Sequence, residues 1–266
     1  MVSRARRVRF GLMALPSPET TGDMMTEVTD DTVGALRRRV AILDCESTGL
    51  GLQDEAIAIA AIVIDVDSKG NATRVAAWEG KQCPTVDIHP AAARVNGLTK
   101  ESLAGQSFDV HAFETATAGV RCFIAHNAVF DARLIGKVAP AIMRGEWRCS
   151  YRQWAWPKLD NKKLDTVCRH FSVNRPATHN AMHDAEALLQ ALLVKSGKTD
   201  RSITYLGKLL AKDDYRIKEA IEADKSRASW RDDRRRESES ESRILGRKTI
   251  FWAVVVAILA IAFYLK

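Results

Sequence analysis

A mixed α/β sheet flanked by helices, followed by a single C-terminal transmembrane helix, is the architecture that this 266-residue sequence predicts. Three observations carry that expectation. Short apolar runs bounded by Gly, Asp and Asn come first and read as a strand meander. Further short runs then alternate with segments of helical period, the pattern of strands joined through helices. The chain ends on an uncharged apolar stretch just before Lys266.

The composition is that of a globular protein, with 46% hydrophobic and 27% charged residues. A formal net charge of +7 points to a polyanionic partner, either a nucleic acid or an acidic membrane surface. Five scattered cysteines without a CxxC pair read as reduced thiols, not as a disulfide framework or a zinc site.

Residues 1–35 begin basic, but their apolar run is too short for a secretory signal before Pro16 interrupts it, so a disordered extension is expected, with Met24 and Met25 as internal candidate starts. Val40–Cys45 is the first strand and Ala56–Val66 the second, with a turn at "DSKGN" leading to a third around Thr73–Glu79. Helices are expected near Thr99–Leu103 and Val110–Gly119. "RCFIAH" at 121–126 is a further buried strand, entering a helix over Ala128–Val138. Another helix over Lys162–Phe171 carries Leu164, Val167, Cys168 and Phe171 on one stripe, and the last helix of the domain covers Ala181–Val194. The domain is thus placed at 36–198, with a helical and charged linker over 199–242 and a membrane anchor over 243–266.

That anchor rests on Thr249–Leu265, "TIFWAVVVAILAIAFYL", 17 residues without a charge. As a helix it would extend ~25 Å, a little short of a ~30 Å hydrocarbon core. Arg247, Lys248 and Lys266 can snorkel to cover the difference, and Trp252 and Tyr264 lie where interfacial aromatics sit. Arginines and lysines precede the stretch, so a single-pass, tail-anchored membrane protein with its main domain on the cytoplasmic side is expected.

The first strand ends unusually. Asp44 and Glu46 are two apart, so they share a face at the end of an apolar run, where two carboxylates repel each other. A pair of Mg²⁺ ions gives them a reason to be neighbours, since hard cations take carboxylate oxygens and two-metal sites need several acids. Further acids stand at element starts: Asp131 in "AHNAVFDARL" and Asp184 in "HNAMHDAEALL", with His179 five residues before Asp184. A histidine there can take a proton from a water.

These stretches resemble the DEDDh family of 3′–5′ exonucleases. "DCESTG" matches its DxExTG motif, "HNAVFD" its HNxxFD motif and "HNAMHDA" its HxAxxDA motif, in the family's order, over roughly residues 38–197. Between them "IHPAAARVNGLTKESLAG" is similar to the family's linking segment, and "GEWRCSYRQWAWPKL" resembles exodeoxyribonuclease X. The resemblance implies a ribonuclease H-like fold and two Mg²⁺ ions, with Mn²⁺ able to substitute. Asp44, Glu46 and Asp184 would hold the ion that activates the attacking water, Asp44 bridging to a second ion that Asp131 helps to hold. His179 would be the general base. Ser47, Thr48 and Leu50 would line the pocket for the terminal nucleotide, with Leu50 against the last base. Two positions depart from the family pattern: Ser47 stands where Thr is usual, and Asn96 stands in the linking segment where His is common, at a position that would contact the terminal nucleotide.

The expected activity is hydrolysis of DNA 3′ ends, single-stranded or frayed, to nucleoside 5′-monophosphates. An exoribonuclease of the same fold is the alternative within the class, and a non-catalytic membrane-tethered module that binds nucleic-acid ends is the alternative outside it. A polymerase partner would suit a proofreading role, but no clamp- or polymerase-binding motif stands out. His126 reads as support behind the site and His183 as solvent-facing. Trp147, Trp154 and Trp156 fit packing or base stacking, and the basic residues of "DNKKLDTVCRH" fit a solvated face or phosphate contacts.

Overall fold

The computed structural model describes residues 37–154, 156–176, 179–197 and 203–229. Its centre is a five-stranded sheet in the order β3-β2-β1-β4-β5. β1 (Arg38–Ser47), β2 (Ala56–Val66) and β3 (Ala72–Lys81) form an antiparallel meander. β4 (Cys122–Ala125) and β5 (Glu146–Cys149) continue the sheet beyond β1 in parallel. The Ile, Val and Ala run of β2 is buried along nearly its whole length because both of its faces are covered, whereas β3 lies at the edge and alternates toward solvent.

Helices cover both faces. On one lie α4 (Leu164–His170), α5 (Ala181–Leu193) and α6 (Tyr205–Leu210), packed on Val40, Ile42, Ile62 and Ile64. On the other lie α2 (Val110–Ala116) and α3 (Ala128–Val138), packed with Leu43, Val63 and Trp147. The linking segment forms α1 (Pro90–Asn96), capped at its start by the His89 side chain and closed by Gly97 in a left-handed conformation at φ 71°.

The strand and helix expectations largely match these elements; β5 was not among them, and the region before Val110 differs. Thr99–Leu103 is not a helix but a set of turns: Thr99 and Ser102 bond each other's backbone N–H groups, and Gly105 at φ 75° ends the segment. The helix of this region lies earlier, where His89 and Pro90 supply a cap and a first-turn proline. The packed core also runs past residue 198. Tyr205, Leu206 and Leu209 enter one core cluster, and Ile217 and Ile221, on a helix over residues 217–229, enter the other. α6 docks so closely on the β2–β3 turn that a Cβ at Gly70 would lie 2.1 Å from Thr204 Oγ1.

No helix among the described residues is long and apolar enough to cross a membrane. Thr249–Leu265 and the extension over 1–35 lie outside the described residues.

Candidate active site

Where the apolar alternation of β1 stops, the acids begin. Val40 and Ile42 point into the core under α5, while Ala41, Leu43 and Cys45 point into the core under α3. Asp44 and Glu46 continue the first series, toward the helix that carries Asp184. A register shift between Glu46 and Ser47 bends the strand at this point, as bulges beside active sites do. Asp131 arrives from the other face, in the first turn of α3, and accepts the Cys45 thiol at 3.4 Å. Asp184 sits in the first turn of α5, whose start is capped by the Asn180 side chain on the His183 N–H. Acids therefore reach one strand end from both sides of the sheet.

Crowding and burial set their electrostatics. Burial, then repulsion from Asp131, Asp184 and Glu46, pushes the Asp44 carboxyl well above the usual carboxylate range. Burial and the Asp184 and Asp131 charges bring Glu46 up to about 7. Burial, with Asp184 adding to it, brings Asp131 up to about 7 against the hydrogen bonds from Cys45. Carboxylates placed this way favour protons or cations. One ligand atom each from Glu46, His179 and Asp184 lies within 4.8 Å of the others, and with Asp44 and Asp131 beside them the oxygen-rich set fits a hard divalent cation.

Arg175, four residues before His179, joins this cluster. Its Nε donates to Asp184 Oδ1 at 2.8 Å and its Nη2 to Oδ2 at 2.7 Å. Nη1 reaches Asp165 on α4, and Nη2 also lies 3.1 Å from His179 Nδ1. The side chain is 7% exposed. Burial alone would lower its pKa; Asp184 and Asp165 more than reverse that and raise it.

The segment after Glu46 forms a braced loop. The Ser47 hydroxyl donates to the Gly49 carbonyl at 2.7 Å. Thr48, fully buried, donates to Asp54 Oδ1 at 2.7 Å and accepts the Glu55 N–H. From α3, Arg133 bonds the Gly51 carbonyl, and Lys137 bonds those of Leu52 and Asp54. At the tip Leu50 is 87% exposed, against the usual preference of leucine. Asn96 is buried at the end of α1, its Nδ2 3.4 Å from the Ser47 carbonyl and its Oδ1 accepting the Leu98 N–H.

His126 stands behind the acids, its Nε2 donating to the Lys162 carbonyl and its Nδ1 bonding the Ser150 hydroxyl, both at 2.8 Å. Burial lowers its pKa to about 4, so it stays neutral and structural. His183 is exposed. Trp147 and Trp156 are buried with their indole N–H groups on backbone carbonyls, and Trp154 is half-buried.

The structure thus brings together Asp44, Glu46, Asp131, Asp184 and His179, with Ser47, Thr48, Leu50 and Asn96 on the adjoining loop and helix end. Sequence reasoning missed Arg175, Cys45 and the brace of Asp54, Arg133 and Lys137. Cys45 was within reach, because it lies between the paired acids on the opposite face. Nothing about the spacing of Arg175 singled it out.

The DNA polymerase III of PolC type from Halalkalibacterium halodurans is 27% identical over 179 residues, 62% of this chain. The chain spans only 12% of that polymerase. Among solved structures, exonuclease X in complex with 5′ overhanging duplex DNA is 23% identical and has a TM-score of 0.45, over 63% of this chain and 99% of that one. Exonuclease I of E. coli in complex with a dT13 oligonucleotide is 18% identical, with a TM-score of 0.47 over 57% and 40%. The family model described as exonuclease, of the RNase T type, matches residues 41–192. That span is more than half of the chain and contains every one of the clustered acids, so the protein belongs to the exonuclease family.

Proposed function

We propose that this protein is a 3′–5′ exonuclease dependent on two Mg²⁺ or Mn²⁺ ions, which shortens DNA ends and releases nucleoside 5′-monophosphates. The observation that carries the reading is the convergence of Asp44, Glu46, Asp131 and Asp184 with His179 at the end of β1. A module that only bound nucleic acid would gain nothing from crowded carboxylates, which repel phosphate. DNA is favoured over RNA by the resemblance of the β5 segment to exodeoxyribonuclease X and by the PolC-type relative.

Bound divalent ions would supply a nucleophilic water and offset the negative charge that builds on the phosphate in the transition state. Asp44, Glu46 and Asp184 would hold the ion on the attacking side, and Asp131 the one on the leaving side. His179 takes the proton from the attacking water. The exposed Leu50 side chain packs against the last base, its loop fixed by Asp54, Arg133 and Lys137 so that little order is lost on binding. Ser47, Thr48 and Asn96 shape the floor beneath the terminal sugar.

Thr249–Leu265 anchors the domain to the cytoplasmic face of a membrane in this reading. Fractionation that resists carbonate extraction, lost on deleting residues 249–266, is the expected result.

The activity test is release of mononucleotides by the full-length chain from end-labelled single-stranded DNA and RNA, with and without EDTA. Metal-dependent shortening from the 3′ end, faster on DNA, supports the proposal. Faster turnover of RNA moves the substrate to RNA, and no release overturns the enzyme reading.

A further inference from the structure

The contacts of Arg175 are at odds with a site ready for catalysis. A guanidinium carries donors alone, so His179 Nδ1, 3.1 Å from Nη2, must be the acceptor. A neutral imidazole that accepts at Nδ1 carries its proton on Nε2. Neither nitrogen is then available as a base: one lone pair is engaged by arginine, and the other position already holds a proton. Asp184 is engaged in the same way, with both of its oxygens accepting from the guanidinium. The residue that would take the proton and a residue that would hold a cation are occupied by one side chain.

We propose that Arg175 is a latch that competes with the divalent cation for Asp184 and holds His179 in the unproductive tautomer until the cation displaces it. The proposal rests on the metal-dependent reading given above. The geometry leaves the arginine a second partner. Asp165, on α4, binds the third nitrogen of the same guanidinium and is solvent-exposed, so it can keep the arginine when Asp184 is given up. His179 Nδ1 lies 3.5 Å from Asp184 Oδ2. Once the guanidinium leaves, that carboxylate can accept an Nδ1–H, which leaves the Nε2 lone pair free to take a proton. Displacing one side chain thereby frees the ligand and sets the base together.

An arginine that merely oriented Asp184 would act in the opposite direction. Removing a side chain that supports a metal ligand weakens metal binding, typically by about 10- to 100-fold. Removing a competing cation strengthens it.

The experiment is calorimetric titration of the full-length protein with Mn²⁺, comparing the wild type with Arg175→Gln and Arg175→Lys. A Kd about tenfold lower for Arg175→Gln is expected, with Arg175→Lys between it and the wild type. An unchanged or higher Kd for Arg175→Gln overturns the latch while leaving the metal site standing. No Mn²⁺ binding by any of the three proteins overturns the metal reading and the latch with it. A second measurement needs no folded variant: ¹⁵N imidazole shifts of His179 in the wild type, with and without Mg²⁺. The Nε2–H tautomer is expected without the ion and the Nδ1–H tautomer with it; a tautomer that does not change overturns the proposal.

Discussion

The Arg175 guanidinium and the Asp184 carboxylate meet on two parallel hydrogen bonds of 2.8 and 2.7 Å, with both side chains at most 7% exposed. Breaking a buried pair from one side leaves a charge without its partner, at a cost of about 3–5 kcal/mol. Here the stranded charge is a carboxylate already pressed by Glu46 and Asp44. Arg175→Ala should therefore unfold at clearly lower urea in EDTA than the wild type. Saturating Mg²⁺ should recover much of the loss, because a bound cation supplies the missing positive charge. A variant as stable as the wild type in EDTA would show that the pair contributes little.

The raised carboxyls give the metal-free protein an inverted pH profile. Glu46 and Asp131 titrate at about 7 in the fold, against ordinary values of 4.5 and 3.8. The folded state then binds more protons than the unfolded one between those limits, so stability declines as pH rises from about 4 through 7. Asp44, raised by burial and by the neighbouring acids, acts in the same direction. His126, lowered from 6.5 to about 4, works the other way below pH 6.5, but one imidazole opposes three acids. In EDTA the Tm should fall on the order of 5 °C between pH 5.5 and 8. Excess Mg²⁺ should flatten the curve, as the cation replaces the protons. Calorimetry at five or six pH values decides the matter.

Asp44→Asn separates stability from activity. A neutral amide carries none of the cost of burying an acid beside Glu46, Asp131 and Asp184, so the metal-free variant should melt a few degrees higher than the wild type. The same change removes the ligand expected to serve both ions, and mononucleotide release should drop by at least about a thousandfold. A lower Tm in EDTA would mean that the Asp44 carboxylate has a structural partner.

What the sequence made legible were features with a fixed spacing. Asp44 and Glu46 are visible because alternation along a strand leaves no ordinary reason for two acids on one face, and Asp131 and Asp184 because each opens a helix. β5 was missed because Glu146–Cys149 shows a single large apolar residue, and α1 because its Ala-rich body lacks an apolar stripe, although His89–Pro90 marks its start. Arg175 eluded the reading for a different reason. It lies in a loop, where no period constrains side chains, and its role exists only once α4 and α5 bring Asp165 and Asp184 to it.

Asp54 braces the loop that presents Leu50. Its carboxylate accepts from the Thr48 hydroxyl and the Gly51 N–H, and it fills the space beside Gly49, where a Cβ would lie 2.7 Å from Oδ2. Asp54→Ala frees the loop without touching the acid cluster, so KM for single-stranded DNA should rise several-fold while kcat changes little. Leu50→Ala should also raise KM, but with no loss of Tm, since an 87% exposed side chain contributes little to folding. Steady-state kinetics beside thermal melts separates the two: a Tm drop for Leu50→Ala, or a kcat loss as large as the KM rise for Asp54→Ala, would contradict this account of the loop.

Lys162 is held at the same edge of the sheet as the acids. β1, β4 and β5 run parallel, so Glu46 near the end of β1, and His126 and Tyr151 just past the ends of β4 and β5, lie on one side of the sheet, where open α/β sheets bind their ligands. The Lys162 backbone carbonyl takes the His126 N–H, and its ammonium lies 5.3 Å from the Trp154 ring centre and 5.9 Å from that of Tyr151. Two aromatic faces limit the rotamers of a side chain that is otherwise costly to order, so the charge is placed in advance for a phosphate. One phosphate contact to a single strand contributes a slope of about −0.7 in log K against log salt. Lys162→Ala should therefore make that slope shallower by about this amount, as read from fluorescence anisotropy with labelled single-stranded DNA in EDTA. Weaker binding with an unchanged slope would mean that Lys162 acts through packing on Trp154 and Tyr151 and not through its charge.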